Sequence, residues 1–194
     1  MKLVFATNNL NKLSEVISLV KTNARILSLE EIGCSDDIPE TFPTIEENAL
    51  QKAEYIYNKF GLNCLADDSA LEIDFLNGEP GVYSARYAGT NSDANKNIDK
   101  VLQKLSQTDL RGAKFRTVIA LIVNGKKYLF EGECLGQITQ QKQGKHGFGY
   151  DPIFLPDGFS KTFAEMSKFE KGKISHRSIA VKKLISFINS KIIV

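Results

Sequence analysis

Residues 115–130 constrain the fold of this chain more than any other stretch. Phe115 to Val123 is an almost unbroken strand-like run, Asn124-Gly125 follows, and Tyr128 to Phe130 supplies a return strand. Asn-Gly accepts the positive φ angles that a two-residue hairpin demands, so these segments pair antiparallel. Elsewhere strand-like and helix-like patterns take turns. Leu3 to Ala6 reads as a short buried strand, and Leu13, Val16, Ile17 and Val20 then recur at helical spacing. A chain that mixes βα connections with a hairpin folds as an α/β domain with a mixed sheet.

The remaining punctuation agrees. Asn9 or Asn11 is placed to cap the first helix. Residues 33–43 are loop-like, and Thr44-Ile45-Glu46-Glu47 has the form of a capping box. The helix it opens carries Ala49, Leu50, Ala53, Ile56, Tyr57 and Phe60 on one side, and Gly61 is suited to end it. Cys64-Leu65-Ala66 reads as a buried strand that runs into Asp67-Asp68-Ser69, with alternation resuming at Leu71-Glu72-Ile73. Asn77-Gly78 and Pro80-Gly81 mark turns. Ser92 opens a further helix with Ile98, Val101, Leu102 and Leu105 facing inward. Residues 144–149 are glycine-rich, and Ser175 precedes a final helix bearing Ile179, Ala180, Leu184, Ile185 and Ile188.

At 194 residues, with 42% hydrophobic and 25% charged, the chain is long enough to bury a core. A net charge of +2 argues against broad nucleic-acid binding, and no apolar stretch approaches the ~20 residues of a membrane span. Met1 to Ala6 is too short for a signal peptide, so a cytoplasmic location is expected. The three cysteines, Cys34, Cys64 and Cys134, are scattered and read as reduced thiols.

Six segments carry candidate chemistry. Asp67-Asp68-Ser69 sets two carboxylates after an apolar strand, hard oxygen donors of the kind that suits magnesium beside phosphates, although a solvated turn also explains such a pair. Glu46 and Glu47 are accounted for by the helix dipole; Glu40 has no such local duty and is a candidate metal ligand. Lys52 is either a solvated lysine or a partner for phosphate. Thr7-Asn8-Asn9-Leu10-Asn11-Lys12 joins a strand to a helix N-terminus and forms a sensible phosphate cradle, but it is not a P-loop, because GxxxxGK[ST] is absent. In Gly147-Phe148-Gly149-Tyr150-Asp151-Pro152, the two glycines free one face of Phe148 for stacking on a base. Ser175-His176-Arg177, with Lys171 and Lys173 upstream, is a donor-rich cluster.

Taken together and in this order, these segments closely resemble the ITPase family, the XTP/dITP diphosphatases. The resemblance runs through Phe5 to Lys12, Glu46-Glu47-Asn48-Ala49, Lys52-Ala53, Ala66 to Ser69, Pro80 to Tyr87, Phe148 to Phe154 and Ser175-His176-Arg177. It implies an elongated mixed β-sheet flanked by helices, one domain over residues 1–194 with two lobes and a substrate cleft between them, a homodimer and a Mg2+ requirement. It implies that Thr7, Asn8, Asn9, Leu10, Asn11, Lys12 and Lys52 contact the triphosphate. Asp68 would be metal ligand and base, Glu40 a second ligand, and Asp67 an assisting one. Ser69, Phe148, Gly149, Tyr150, Asp151, Lys171, His176 and Arg177 match substrate contacts. Two departures stand out: Asn8 replaces the usual glycine, and Ala70 replaces the glycine that commonly follows the serine.

The activity so implied is hydrolysis of ITP, dITP and XTP to monophosphate and pyrophosphate, with donors from His176 and Arg177 reading the 6-oxo group. Competing readings are a nucleotide kinase, against which the missing P-loop argues, a pyrimidine triphosphate pyrophosphatase, and a non-enzymatic RNA- or nucleotide-binding module.

Overall fold

The structure, a computed structural model, describes residues 1–20, 24–89 and 93–191. In chain order its elements are β1 (Lys2–Phe5), α1 (Leu10–Leu19), β2 (Arg25–Leu27), α2 (Ile45–Phe60), β3 (Cys64–Ile73), β4 (Pro80–Gly81), α3 (Ala94–Lys104), β5 (Gly112–Val123), β6 (Lys126–Ile138), β7 (Phe154–Pro156), α4 (Lys168–Ile174) and α5 (His176–Lys191). Among the described residues the strands form one seven-stranded sheet of order β2-β1-β3-β5-β6-β7, with β4 paired to β3. β1 is parallel to both β2 and β3, with Leu3 opposite Ile26 and Val4 opposite Cys64. β4 and β7 pair antiparallel with β3 and β6. The expected mixed sheet with flanking helices is therefore present. Its hairpin turn is the expected one: Asn124 and Gly125 both have positive φ, 49° and 76°.

The chain divides into two compact units. One comprises Met1–Asp68, Thr117–Gly132 and the residues from His176 on; the other comprises Ser69–Arg116 and Glu133–Ser175. In the first, Leu3 and Phe5 of β1, Leu65 of β3, and Ile119 and Leu121 of β5 pack against Val16 of α1 and Ala180, Val181 and Leu184 of α5. These strand residues are two apart, as one face of a sheet requires. The opposite face receives α2, where the Cys64 thiol donates to the Ala53 carbonyl at 3.1 Å. The core of the second unit gathers Leu71, Ile73, Ile98, Val101, Leu105, Phe115, Phe154 and Phe163. The rings of Phe115 and Phe154 lie 4.6 Å apart, and each such buried aromatic contributes about 1.5–3 kcal/mol.

Local chemistry sets the helix ends. The Asn9 side chain accepts from the amides of Asn11 and Lys12, Thr44 accepts from the Glu47 amide, and Gly61 ends α2 at φ 65°. Several expectations need correction. Asp67 and Asp68 do not end a strand: β3 runs on for ten residues, and both lie inside it. Pro80-Gly81 forms a short strand paired with Leu71 and Glu72. Ile17 is exposed, so the buried stripe of α1 is narrower than its spacing suggests. Ser92 lies outside the described residues, and α3 is capped by Asp93. α4 was not anticipated. At the two positions where glycine is usual, the backbone does not call for it: the positive-φ residues other than glycine are Asn77 and Asn124 among those described, so Asn8 is not left-handed, and Ala70 sits within β3. No helix among the described residues is long and apolar enough to cross a membrane.

Candidate active site

Side chains at successive positions of a strand point to opposite faces, and β3 uses this to separate its two carboxylates. Asp67 shares the face of Leu65 and meets α1 and α5. Its Oδ1 is 3.2 Å from Lys12 Nζ and its Oδ2 accepts from Arg177 Nε at 3.1 Å. Arg177 reaches on to Glu15 of α1, 2.5 Å from Nη1. Asp67 is 0% and Arg177 2% exposed. Burial alone would raise the Asp67 pKa, but Lys12, Arg177 and Lys52 outweigh it and hold the carboxyl well below its usual range. Arg177 is correspondingly raised, its burial more than offset by Asp67 and Glu15. Burial lowers Lys12, with Asp67 opposing only in part.

Asp68 shares the face of Cys64 and meets α2. Its Oδ1 lies 4.0 Å from Lys52 Nζ, and the same ammonium donates to Glu40 Oε1. Lys52 is 6% exposed. Burial would depress its pKa; Asp68, Glu40 and Asp67 together raise it instead. Two carboxylates, from a strand and from a loop 28 positions earlier in the chain, thus converge on one cation.

The loop that carries Glu40 is laced antiparallel along α2. Asp36 accepts from Tyr55 at 2.7 Å and pairs with Lys59. Glu40 meets Lys52, and Thr41 and Phe42 meet Gln51 and Asn48. The Asp36 carbonyl also accepts from the Asn8 side chain at 3.2 Å. In the segment Thr7 to Lys12, Thr7 Oγ1 accepts from the Asn9 amide, and Leu10 is exposed. The Asn9 cap occupies the amides of Asn11 and Lys12, leaving the lysine head as the charged group of that turn.

The start of α5 is buried: Ser175, His176, Arg177 and Ser178 all lie inside. Gly132 of β6 makes room, since a Cβ there would lie 2.1 Å from the His176 carbonyl oxygen. The second unit holds a separate cluster. Asp151 Oδ2 accepts from the Phe148 amide at 2.9 Å and from Lys171 Nζ at 2.7 Å. The Lys171 ammonium is 4.9 Å from the centre of the half-buried Phe148 ring. Gly147 has φ 75°, and a Cβ on it would fall 2.0 Å from the Asp151 carboxylate. Tyr150 is buried, its hydroxyl donating to the Ser84 carbonyl at 2.9 Å. Ser69 begins this unit's share of β3.

A family model, the Ham1 family, matches residues 3–187. The chain belongs to the Ham1 family. Curated relatives named dITP/XTP pyrophosphatase include those of Flavobacterium johnsoniae, 52% identical over 98% of this chain and 99% of its own length, and Christiangramia forsetii, 53% identical over 97% and 100%. The solved structure of the Staphylococcus aureus Ham1 protein matches with a TM-score of 0.90 at 40% identity, covering 98% of this chain and 100% of its own; a HAM1 protein from Coxiella burnetii gives 0.90 at 38%, covering 98% and 99%. The resemblance read from the ordered motifs is thus borne out.

Among the residues expected to act, the structure of this Ham1 protein brings Lys12, Asp67 and Arg177 together, and separately Glu40, Lys52 and Asp68. It groups Phe148, Asp151 and Lys171 in the second unit. Glu15, Gln51 and Gly132 were not singled out from sequence. Glu15 had one legible signal, lying three residues after Lys12 on the same helix face. Among the described residues no group of three or more His, Cys, Asp or Glu side chains is assembled as a metal cage. The donor set nonetheless fits magnesium: Asp68 and Glu40 already share one cation and supply hard oxygens, and magnesium is commonly held by one or two carboxylates together with substrate phosphates. Asp67 fits less well, being turned to the other face and engaged by two cations.

Proposed function

We propose that this Ham1 protein hydrolyses non-standard purine nucleoside triphosphates, ITP, dITP and XTP, to the monophosphate and pyrophosphate. The reaction clears the nucleotide pool and keeps such nucleotides out of DNA and RNA. The observation that carries the reading is the convergence of Asp68 and Glu40 on Lys52, in a chain whose relatives bear the name dITP/XTP pyrophosphatase. Residues 1–194 act as one catalytic domain, cytoplasmic and homodimeric, the last of these on family resemblance alone.

Asp68 and Glu40 would hold Mg2+, which when bound stabilises charge on the phosphate oxygens. Asp68 orients a water and takes its proton. The new bond forms from that water to the α-phosphorus, and the bond to the bridging oxygen breaks, releasing pyrophosphate. Lys12 and Lys52 offset charge on the departing group. Arg177, together with Glu15, holds Asp67 and through it the end of Lys12. This assignment takes Arg177 away from base reading. In the second unit Phe148 offers a ring for stacking, and Lys171, fixed by Asp151, offers a donor suited to a 6-oxo group; the 6-amino group of ATP would set donor against donor.

Pyrophosphate release from ITP, dITP, XTP, GTP, ATP and dTTP, with and without Mg2+, tests the reading. Metal-dependent release confined to the first three is expected. Asp68→Asn should lower turnover about 10²–10⁴-fold in a protein that remains folded by circular dichroism. Full activity in that variant, or a preference for dTTP, contradicts the assignment.

A further inference from the structure

Asn48 belongs to the segment Glu46-Glu47-Asn48-Ala49, and the chemistry above gives it nothing to do. It is polar and 0% exposed. Its side-chain amide spends both ends on a single residue: the Phe42 amide donates to Oδ1 at 2.9 Å, and Nδ2 donates to the Phe42 carbonyl at 3.1 Å. Almost one turn further along α2, Gln51 treats Thr41 in the same way. The Thr41 amide donates to Oε1 at 3.0 Å, and Nε2 donates to Thr41 Oγ1 at 2.9 Å. The next pair in the series is Lys52 with Glu40.

We infer that Asn48 and Gln51 are positioning residues for Glu40, holding residues 41 and 42 by two-point amide contacts so that the Glu40 carboxylate stands ready beside Asp68. The inference rests on the assignment of Glu40 to the metal. A carboxylate on an untethered loop loses chain freedom each time it closes on a cation; two backbone amides fixed in advance remove most of that loss. Amides suit the task because each brings a donor and an acceptor without charge. A carboxylate at position 48 would lose the donor to the Phe42 carbonyl and add a negative charge to a region that already holds Glu40 and Asp68.

A clamp that only steadies the fold would behave differently from one that serves Glu40, and a double-mutant cycle separates the two. Asn48 is fully buried, so Asn48→Ala risks the fold; Gln51, half-buried, is the better handle. Mn2+ binding to the full chain without nucleotide would be measured by electron paramagnetic resonance for wild type, Gln51→Ala, Glu40→Gln and the double variant. Gln51→Ala should weaken Mn2+ binding several-fold, and the double variant should bind no more weakly than Glu40→Gln alone. In turnover, Gln51→Ala should raise the Mg2+ concentration needed for half-maximal rate while kcat at saturating metal stays close to wild type.

Wild-type Mn2+ affinity in Gln51→Ala overturns the inference, as does the same fold loss in both backgrounds. A wild-type protein that binds no Mn2+ at millimolar concentration overturns it together with the metal assignment. Failure to release pyrophosphate from any nucleotide overturns the pyrophosphatase reading alone, and the Mn2+ cycle still decides the role of Gln51.

Discussion

Asp67 and Asp68 are adjacent in the chain and opposite in circumstance. Both are acidic, buried and in β3, but strand geometry turns one toward Lys12 and Arg177 and the other toward Lys52 and Glu40. A carboxylate as deeply buried as Asp67 persists only with its charge matched, and Arg177 is well shaped for this because its fork spans Asp67 and Glu15 at once. Arg177→Ala should therefore cost about 3–5 kcal/mol of unfolding free energy in urea titration, because it strands buried charge. Arg177→Lys should recover only part of the loss, since an ammonium lacks the fork whose Nε and Nη1 reach Asp67 and Glu15 separately; an Arg177→Ala protein as stable as wild type would refute the pairing. The candidate residues were legible in the sequence as types in order. Their pairing was not: nothing local in Ser175-His176-Arg177 says that the arginine belongs to a carboxylate 110 positions earlier.

Helix ends carry the next level of organisation. Asn9, Thr44 and Gly61 were readable because a cap is a local bargain between a side chain and amides two or three residues away. α4 went unread because its seven residues are too few to show a period. Yet among the described helices α4 has a full capping box. The Ser167 hydroxyl accepts from the Glu170 amide, and the Glu170 carboxylate accepts from the Ser167 amide at 2.8 Å. This cap sets the turn that delivers Lys171 to Asp151. Ser167→Ala should lower stability by about 1 kcal/mol. Glu170 adds a pH dependence, because the Ser167 amide, then its hydroxyl, then the charge of Lys161 hold the Glu170 pKa below its ordinary value. A depressed carboxylate stabilises the fold above its unfolded value of about 4.3, and the contribution is lost as pH falls through the lower folded value. The melting temperatures of wild type and Glu170→Gln should differ steadily near neutrality and converge below about pH 4; a gap that stays constant to pH 3 would remove Glu170 from the cap.

At the scale of the whole molecule, the mixed sheet followed from one Asn-Gly turn set among alternating periods. Two lobes are implied only by the family resemblance, and the places where the chain divides into its two units were not legible, because the division crosses the chain inside β3, β5 and β6 and just before α5, where no glycine- or proline-rich linker marks it. The loop laced to α2 bears on how this molecule comes into being. Its ties close short distances along the chain, 6 residues from Phe42 to Asn48, 10 from Thr41 to Gln51 and 12 from Glu40 to Lys52. The grip of Arg177 on Asp67 and Glu15 spans 110 and 162. Short closures cost little chain entropy and form early, long ones late. Pulsed hydrogen exchange during refolding should protect the amides of α2 before those of α5; simultaneous protection would refute that order. One of the two buried charge clusters is then in place at the outset, while the other waits for the last helix to arrive.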